Sequence, residues 1–121
     1  MTIKELETLC HQLEFTGDIG DCVRNALYCE LDQNKCSGPT LIYCPPEHKY
    51  VYVSPQLTIM KDKNGLYYQS VPREFGTTMT EIYTKFELKD DESIIKAITN
   101  LKKLWKEQLN NLRLKDIKHD F

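Results

Sequence analysis

The pattern of hydrophobic and polar positions changes period along the chain, and each change marks a new kind of element. Over residues 2–14, Ile3, Leu6, Leu9, Cys10 and Leu13 recur at three- and four-residue steps, the spacing of one helix face. Thr2 and Glu5 stand at its start with capping-box spacing, in which each side chain satisfies a free backbone N–H of the first turn. Gly17 is the expected stop. Asp21 to Asp32 fits two periods. Val23, Ala26, Leu27 and Leu31 have helical spacing with Asp21 as N-cap, whereas Leu27, Cys29 and Leu31 alternate as in a strand. The start signal at Asp21 favours a second short helix.

From residue 39 the period becomes two, carried by β-branched and aromatic residues. Pro39 opens a strand through Leu41, Ile42, Tyr43 and Cys44. Pro45-Pro46-Glu47-His48 turns the chain, and Tyr50 to Val53 returns it. Leu57 to Met60 follows the break at Pro55. Asn64-Gly65 then predicts a hairpin of type I′, since both residues tolerate positive φ, with Leu66-Tyr67-Tyr68 as the returning strand. Residues 73–78, containing Gly76, read as a loop. Ile82, Thr84, Phe86 and Leu88 alternate with Tyr83, Lys85 and Glu87. Connections this short predict an antiparallel meander of about five strands.

The last element begins at Asp90 and Asp91, which supply a cap and negative charge at a helix start. Ile94, Ile98, Leu101, Trp105, Leu109 and Leu112 share one side, widened by Ala97 and Leu104. Leu114 falls on the polar side, so the helix is expected to end near residue 112, with the tail to Phe121 frayed or folded back. The expected fold is therefore α+β: an antiparallel meander with one or two N-terminal helices and a long C-terminal helix packed on one face. Neither a repeat nor a dividing linker interrupts it, so residues 1–121 read as one domain.

Composition narrows the class of protein. Of the 121 residues, 40% are hydrophobic and 28% charged, which excludes the disordered class; ten Gly and Pro exclude a collagen-like chain. No apolar run approaches the roughly 18 residues of a membrane span, and Met1 to Leu6 lacks the apolar core of a signal peptide. The expectation is a cytoplasmic protein with no membrane partner. Charge is unevenly placed: residues 1–60 hold four basic and eight acidic side chains, residues 61–121 twelve and ten. The five cysteines, Cys10, Cys22, Cys29, Cys36 and Cys44, all lie in the first 44 residues. An odd count without a secretory signal points to free thiols. Successive gaps of 12, 7, 7 and 8 contain no close pair of the zinc type, and Cys44 with His48 makes only half a site. No metal and no cofactor is implied, because phosphate-loop, dinucleotide, His-Glu-x-x-His and EF-hand signatures are absent too.

Three groups of residues can carry function. Cys22, at the first turn of the expected second helix, would have its thiolate favoured by backbone N–H groups and the helix dipole. The run Ile19-Gly20-Asp21-Cys22-Val23-Arg24-Asn25-Ala26-Leu27 resembles the nucleophile segment of ovarian-tumour-type deubiquitinating cysteine proteases, where Asp-Gly-Asp/Asn-Cys opens a helix. Ile19 stands where that pattern has Asp, and the likeness covers nine residues. It implies Cys22 as nucleophile and a downstream histidine as base. His48, followed by Lys49 and Tyr50, and His119, before Asp120 and Phe121, are the candidates, neither with an orienting partner legible in the sequence.

The second group is basic. Lys96, Lys102, Lys103, Lys106 and Arg113, interrupted by Glu107, line the expected solvent side of the last helix, where they could meet nucleic-acid phosphates or an acidic partner. The net charge of −2 weakens the nucleic-acid reading. The third group is aromatic. Six of seven tyrosines fall in predicted strands, and Tyr43, Tyr50, Tyr52 and Tyr68 share one expected face with Leu41, opposite Ile42, Val51 and Val53. Tyrosine gives large amphipathic contact area at low entropic cost and is enriched at protein interfaces. The leading expectation is a non-enzymatic protein-binding module, of the scale of an immunity or viral inhibitor protein, whose partner is another protein through this face. A homodimer through the face or an edge strand is one version of it. The alternatives are a cysteine hydrolase using Cys22 and a nucleic-acid binder using the basic helix.

Overall fold

The capping box forms as the sequence predicts. In a computed structural model describing residues 1–72 and 76–119, with side chains to 112, Thr2 Oγ1 accepts the Glu5 N–H at 3.1 Å while Glu5 Oε1 accepts the Thr2 N–H at 3.0 Å. Helix α1 (Ile3–Gln12) follows and buries Leu6 and Cys10. Residues 73–75 of the expected loop, the side chains of Arg113, Leu114 and His119, and Asp120–Phe121 lie outside the described residues.

The second helix expected over Asp21–Asp32 is replaced by a tight loop and a strand. The Asp21 carboxylate accepts the N–H of Asp18 at 3.1 Å instead of capping a helix, and the Gly20 N–H donates to the Ala26 carbonyl at 2.9 Å. Local side-chain bonds of this kind compete with helix. Gly20 and Asn25 take φ of 87° and 64°, which a right-handed helix cannot continue through. The loop delivers β1 (Leu27–Cys29), in which buried Leu27 and Cys29 alternate with half-buried Tyr28. The strand reading of that segment was the right one.

The other strands are β2 (Cys36–Ser37), β3 (Ile42–Cys44), β4 (Tyr50–Val53), β5 (Thr58–Asp62), β6 (Gly65–Gln69) and β7 (Thr84–Glu87). A short helix α2 (Met79–Ile82) takes the place of the first residue of the expected last strand. The hairpin between β5 and β6 sits where expected, but its register pairs Asp62 with Gly65. The turn residues are thus Lys63 and Asn64, neither with positive φ, and the Asp62 carboxylate accepts the Asn64 N–H at 2.8 Å. That Asx bond, not a type I′ pair, shapes the turn.

The strands divide into two sheets: four in the order β1-β3-β4-β7, and three in the order β2-β6-β5. All pairings are antiparallel except β2 with β6. Two-residue β2 is too short to show any period, so the parallel contact had no signal in the sequence. Helix α3 (Asp91–His119) packs Ile94, Ile98 and Leu101 against the inner residues of the four-stranded sheet. It runs past the expected end near residue 112, consistent with the absence of Gly and Pro from residues 113–119. The α+β class and the long C-terminal helix are as expected.

One close approach locks α1 to the sheet. After α1, Thr16 exchanges backbone hydrogen bonds with Glu30 at 2.8 and 3.0 Å. Gly17, at φ 138°, lies so near β1 that a Cβ there would stand 2.0 Å from the Tyr28 carbonyl oxygen. Gly20 also has positive φ but nothing within 4 Å of such an atom. Gly20→Ala should therefore cost only the conformational term, about 1–2 kcal/mol. Gly17→Ala should cost more than about 3 kcal/mol, since backbone must move as well. Urea unfolding of both variants checks the order, and equal losses would contradict it.

Candidate functional site

The pleat of the four-stranded sheet sorts its residues into two faces. Leu27, Cys29, Ile42, Cys44, Val51, Val53 and Phe86 point to the core, where they meet Leu6 and Cys10 of α1 and Ile94, Ile98 and Leu101 of α3. The intervening residues point the other way. Register aligns Tyr28 with Tyr43, Tyr43 with Tyr52, and Tyr52 with Lys85, so one row crosses all four strands. Tyr50 opposite Glu87 begins the next row.

The rings of the row pack against one another. Tyr28 and Tyr43 lie 4.6 Å apart between centroids, Tyr43 and Tyr52 6.0 Å, with interplanar angles of 32° and 25°. Cross-strand aromatic pairs of this kind stabilise a sheet by about 0.2–1 kcal/mol each. Lys85 sets its ammonium over the Tyr50 ring, 3.9 Å from the centroid, a cation–π contact that holds it on this side. Burial, and then the hydrogen bond and charge of Tyr28, push the Tyr43 hydroxyl up to about 12. It therefore stays a proton donor across the physiological range. Tyr28, Tyr43 and Tyr50 are half-buried and leave edges for contact, whereas Tyr52, 9% exposed, is buried in the row and braces it.

Sequence reasoning missed Tyr28, because the Asp21 start signal placed it in a helix. The alternation of Leu27, Cys29 and Leu31 was the signal that could have found it. Lys85 was legible in the alternation with Tyr83 and Glu87 but was not singled out. Tyr43, Tyr50 and Tyr52 do come together. Tyr68 does not join them: it lies on β6 in the other sheet, only 2% exposed. Its hydroxyl accepts the Leu31 N–H at 3.2 Å and donates to the Pro39 carbonyl at 2.6 Å. Splitting one meander into two sheets is what moved it. A groove of about 510 Å³ beside it is lined by Pro39, Thr40, Val71, Met79 and Tyr83 among others, and the Tyr83 hydroxyl is likewise bound, to the Thr40 carbonyl at 2.6 Å.

The basic helix face is smaller than the sequence implied. Lys96, Lys103 and Lys106 are exposed, but Lys102 is 9% exposed and folds inward. Its ammonium lies 4.1 Å from the Trp105 centroid and 3.1 Å from Glu14 Oε1. That hydrogen bond and charge hold the Glu14 carboxyl below its ordinary range. The aliphatic stem of a lysine packs readily while its head finds a partner, and helical-wheel reasoning does not see a partner from another element.

Cys22 is exposed and sits in the loop before β1, so the helix start that its activation required is missing. His48 Nε2 lies 2.6 Å from the Asn25 carbonyl, which can only accept, so that nitrogen carries the proton and cannot take one from a thiol. His48 is a clasp between two loops. The other four cysteines are buried in the core. Burial pushes the Cys44 thiol up to about 11, and Cys36 upward as well; the Cys10 thiol beside Cys29, together with burial, raises Cys29 strongly. Among the described residues no three His, Cys, Asp or Glu side chains converge as metal ligands, and no helix is long and apolar enough to cross a membrane. No protein-family model matches the chain, and searches of curated proteins and of solved structures find no match.

Iodoacetamide should label one thiol of the native protein, Cys22, at the rate of an unactivated cysteine, and the remaining four only on unfolding. Mass spectrometry of the time course reads both. Labelling at Cys22 more than about tenfold faster than a free model thiol would instead mark an activated nucleophile.

Proposed function

We propose that the chain is a non-enzymatic protein-binding module, of the inhibitor or immunity kind, that engages another protein through Tyr28, Tyr43 and Tyr50, with the buried ring of Tyr52 bracing Tyr43. The observation that carries this reading is the row of tyrosines on the side of the four-stranded sheet opposite α1 and α3. Rings braced against each other lose little further entropy on binding, and preorganised aromatic contact area is what interface hot spots are made of. The partner suited to it is a flat protein surface with hydrogen-bond acceptors for the tyrosine hydroxyls.

The ring geometry also favours protein over nucleic acid. Base stacking needs an open aromatic face, whereas these rings turn their faces to one another. The exposed lysines of α3 lie on a different element, and Lys102, engaged by Glu14 and Trp105, is withdrawn from any phosphate track.

A photo-reactive phenylalanine analogue placed at position 43 should give a discrete, protease-sensitive adduct in the native cellular background, and one at position 103 none. The double variant Tyr28→Ala with Tyr50→Ala should lower the yield at position 43 by about tenfold or more. Nuclease-sensitive adducts at position 103 alone would sink this reading in favour of the basic helix.

A further inference from the structure

The edges of the two sheets are not treated alike. At the β1 end, Thr16 pairs with Glu30 and continues the edge into the turn after α1. In the smaller sheet, Gln108 of α3 reaches β5, its Oε1 accepting the Ile59 N–H at 2.6 Å and its Nε2 donating to the Leu57 carbonyl. The remaining end of the four-stranded sheet is β7, and among the described residues nothing pairs with its outer side.

Which groups face outward follows from one bond. The Leu88 N–H donates to the Lys49 carbonyl at 2.9 Å. Hydrogen-bonded pairs alternate along an antiparallel ladder, so Phe86 with Val51 is the next such pair. Lys85 and Glu87 lie between them and turn their backbone N–H groups away from β4. The Lys85 carbonyl is free on that side. The Glu87 carbonyl accepts the Asp90 N–H at 2.9 Å and keeps a second lone pair.

We infer that β7 pairs antiparallel with β7 of a second copy of this chain, about a two-fold axis at Phe86. Three such registers can be written. An axis at Lys85 sets Lys85 opposite its own copy, and an axis at Glu87 sets Glu87 opposite its own. Like charges directly opposite each other oppose pairing. An axis at Phe86 places each Lys85 opposite the other copy's Glu87, twice over, as an isologous contact requires. The same register makes Lys85 and Glu87 the hydrogen-bonded pair, so outward N–H groups meet outward carbonyls. Side-chain charge and backbone polarity choose one register.

The side chains on both faces agree with it. Lys85 and Glu87 are exposed on the tyrosine side, and the contact with Tyr50 already holds the Lys85 ammonium there. On the inner side, half-buried Phe86 meets its copy across the axis, completing a burial that the single chain leaves partial. The joined sheet carries both tyrosine rows on one continuous face.

Sedimentation velocity from about 1 μM to about 1 mM tests the pairing on the full chain. A concentration-dependent dimer is expected. Lys85→Glu and Glu87→Lys should each weaken it about tenfold, and the two together should restore it to within about threefold of the parent. Both positions are exposed, and circular dichroism confirms that each variant is folded. A monomer at the highest concentration, a dimer indifferent to the single reversals, or a double variant as weak as the singles would overturn the inference. Cross-linking at position 43 is read independently of Lys85 and Glu87, so the two proposals can fail separately.

Discussion

The hydroxyl of Tyr68 is the point on which the two sheets turn. It takes the N–H of Leu31 as the chain leaves β1 and gives its own proton to the Pro39 carbonyl ahead of β3. A residue of the smaller sheet thereby closes the loop that joins two strands of the larger one. The ring needs the bare Cα of Gly38, where a Cβ would stand 2.6 Å from its carbons. Leaving a buried donor unmade costs about 1–3 kcal/mol, so three distant segments are held by one group that has no good alternative partner. Burial raises this hydroxyl far above its ordinary range, against the lowering effect of its hydrogen bonds to Leu31 and Gln33, and keeps it protonated for both roles.

That arrangement decides which surface is left over. With Tyr68 anchoring the smaller sheet beside the loop of residues 31–39, α1 and α3 both pack on the inner face of the larger sheet and leave its other face to the tyrosine row. Four outward positions in register across that face are three tyrosines and a lysine. Large rings on a solvated face are costly to leave isolated. Packing them against each other shields part of their surface, Tyr52 most of all, and this gives the face both stability and a preformed shape.

The elements legible in the sequence were those whose signal is local and repeated. The capping box at Thr2, the alternation of residues 50–53 and the apolar stripe from Ile94 onward each state the same structure several times over. What could not be read was set by single long-range contacts. Asp21 carries the right side chain for an N-cap, but its carboxylate goes to Asp18 once Gly20 and Asn25 bend the chain. Lys102 occupies a solvent position on the wheel of its own helix, and only the arrival of Glu14 from the end of α1 turns it inward. Tyr68 alternates as an outward strand residue until its sheet is separated from the other. For the candidate site the outcome is similar: Tyr43, Tyr50 and Tyr52 were found by alternation, while Tyr28 was hidden by a competing helix signal of equal local strength.

The clustering of cysteines in the first 44 residues has a packing cause. Cys10 on α1, Cys29 on β1, Cys36 on β2 and Cys44 on β3 all belong to the one hydrophobic core. The early part of the chain supplies a helix and the strands beside it, where inward positions are closely spaced and a small side chain with a polarisable atom fits. Burial raises the thiols of Cys36 and Cys44, and the neighbouring Cys10 together with burial raises that of Cys29, so the environment that packs these three also disfavours their thiolates. Cys22 differs because its loop leaves it exposed. Among the described residues, one aromatic face and one open edge meet at Lys85. Gln108 engages the edge at β5 and Thr16 extends the one at β1, while among the described residues β7 stays open beside the tyrosines. The proposed aromatic contact and the proposed edge pairing would thus share one corner of the molecule.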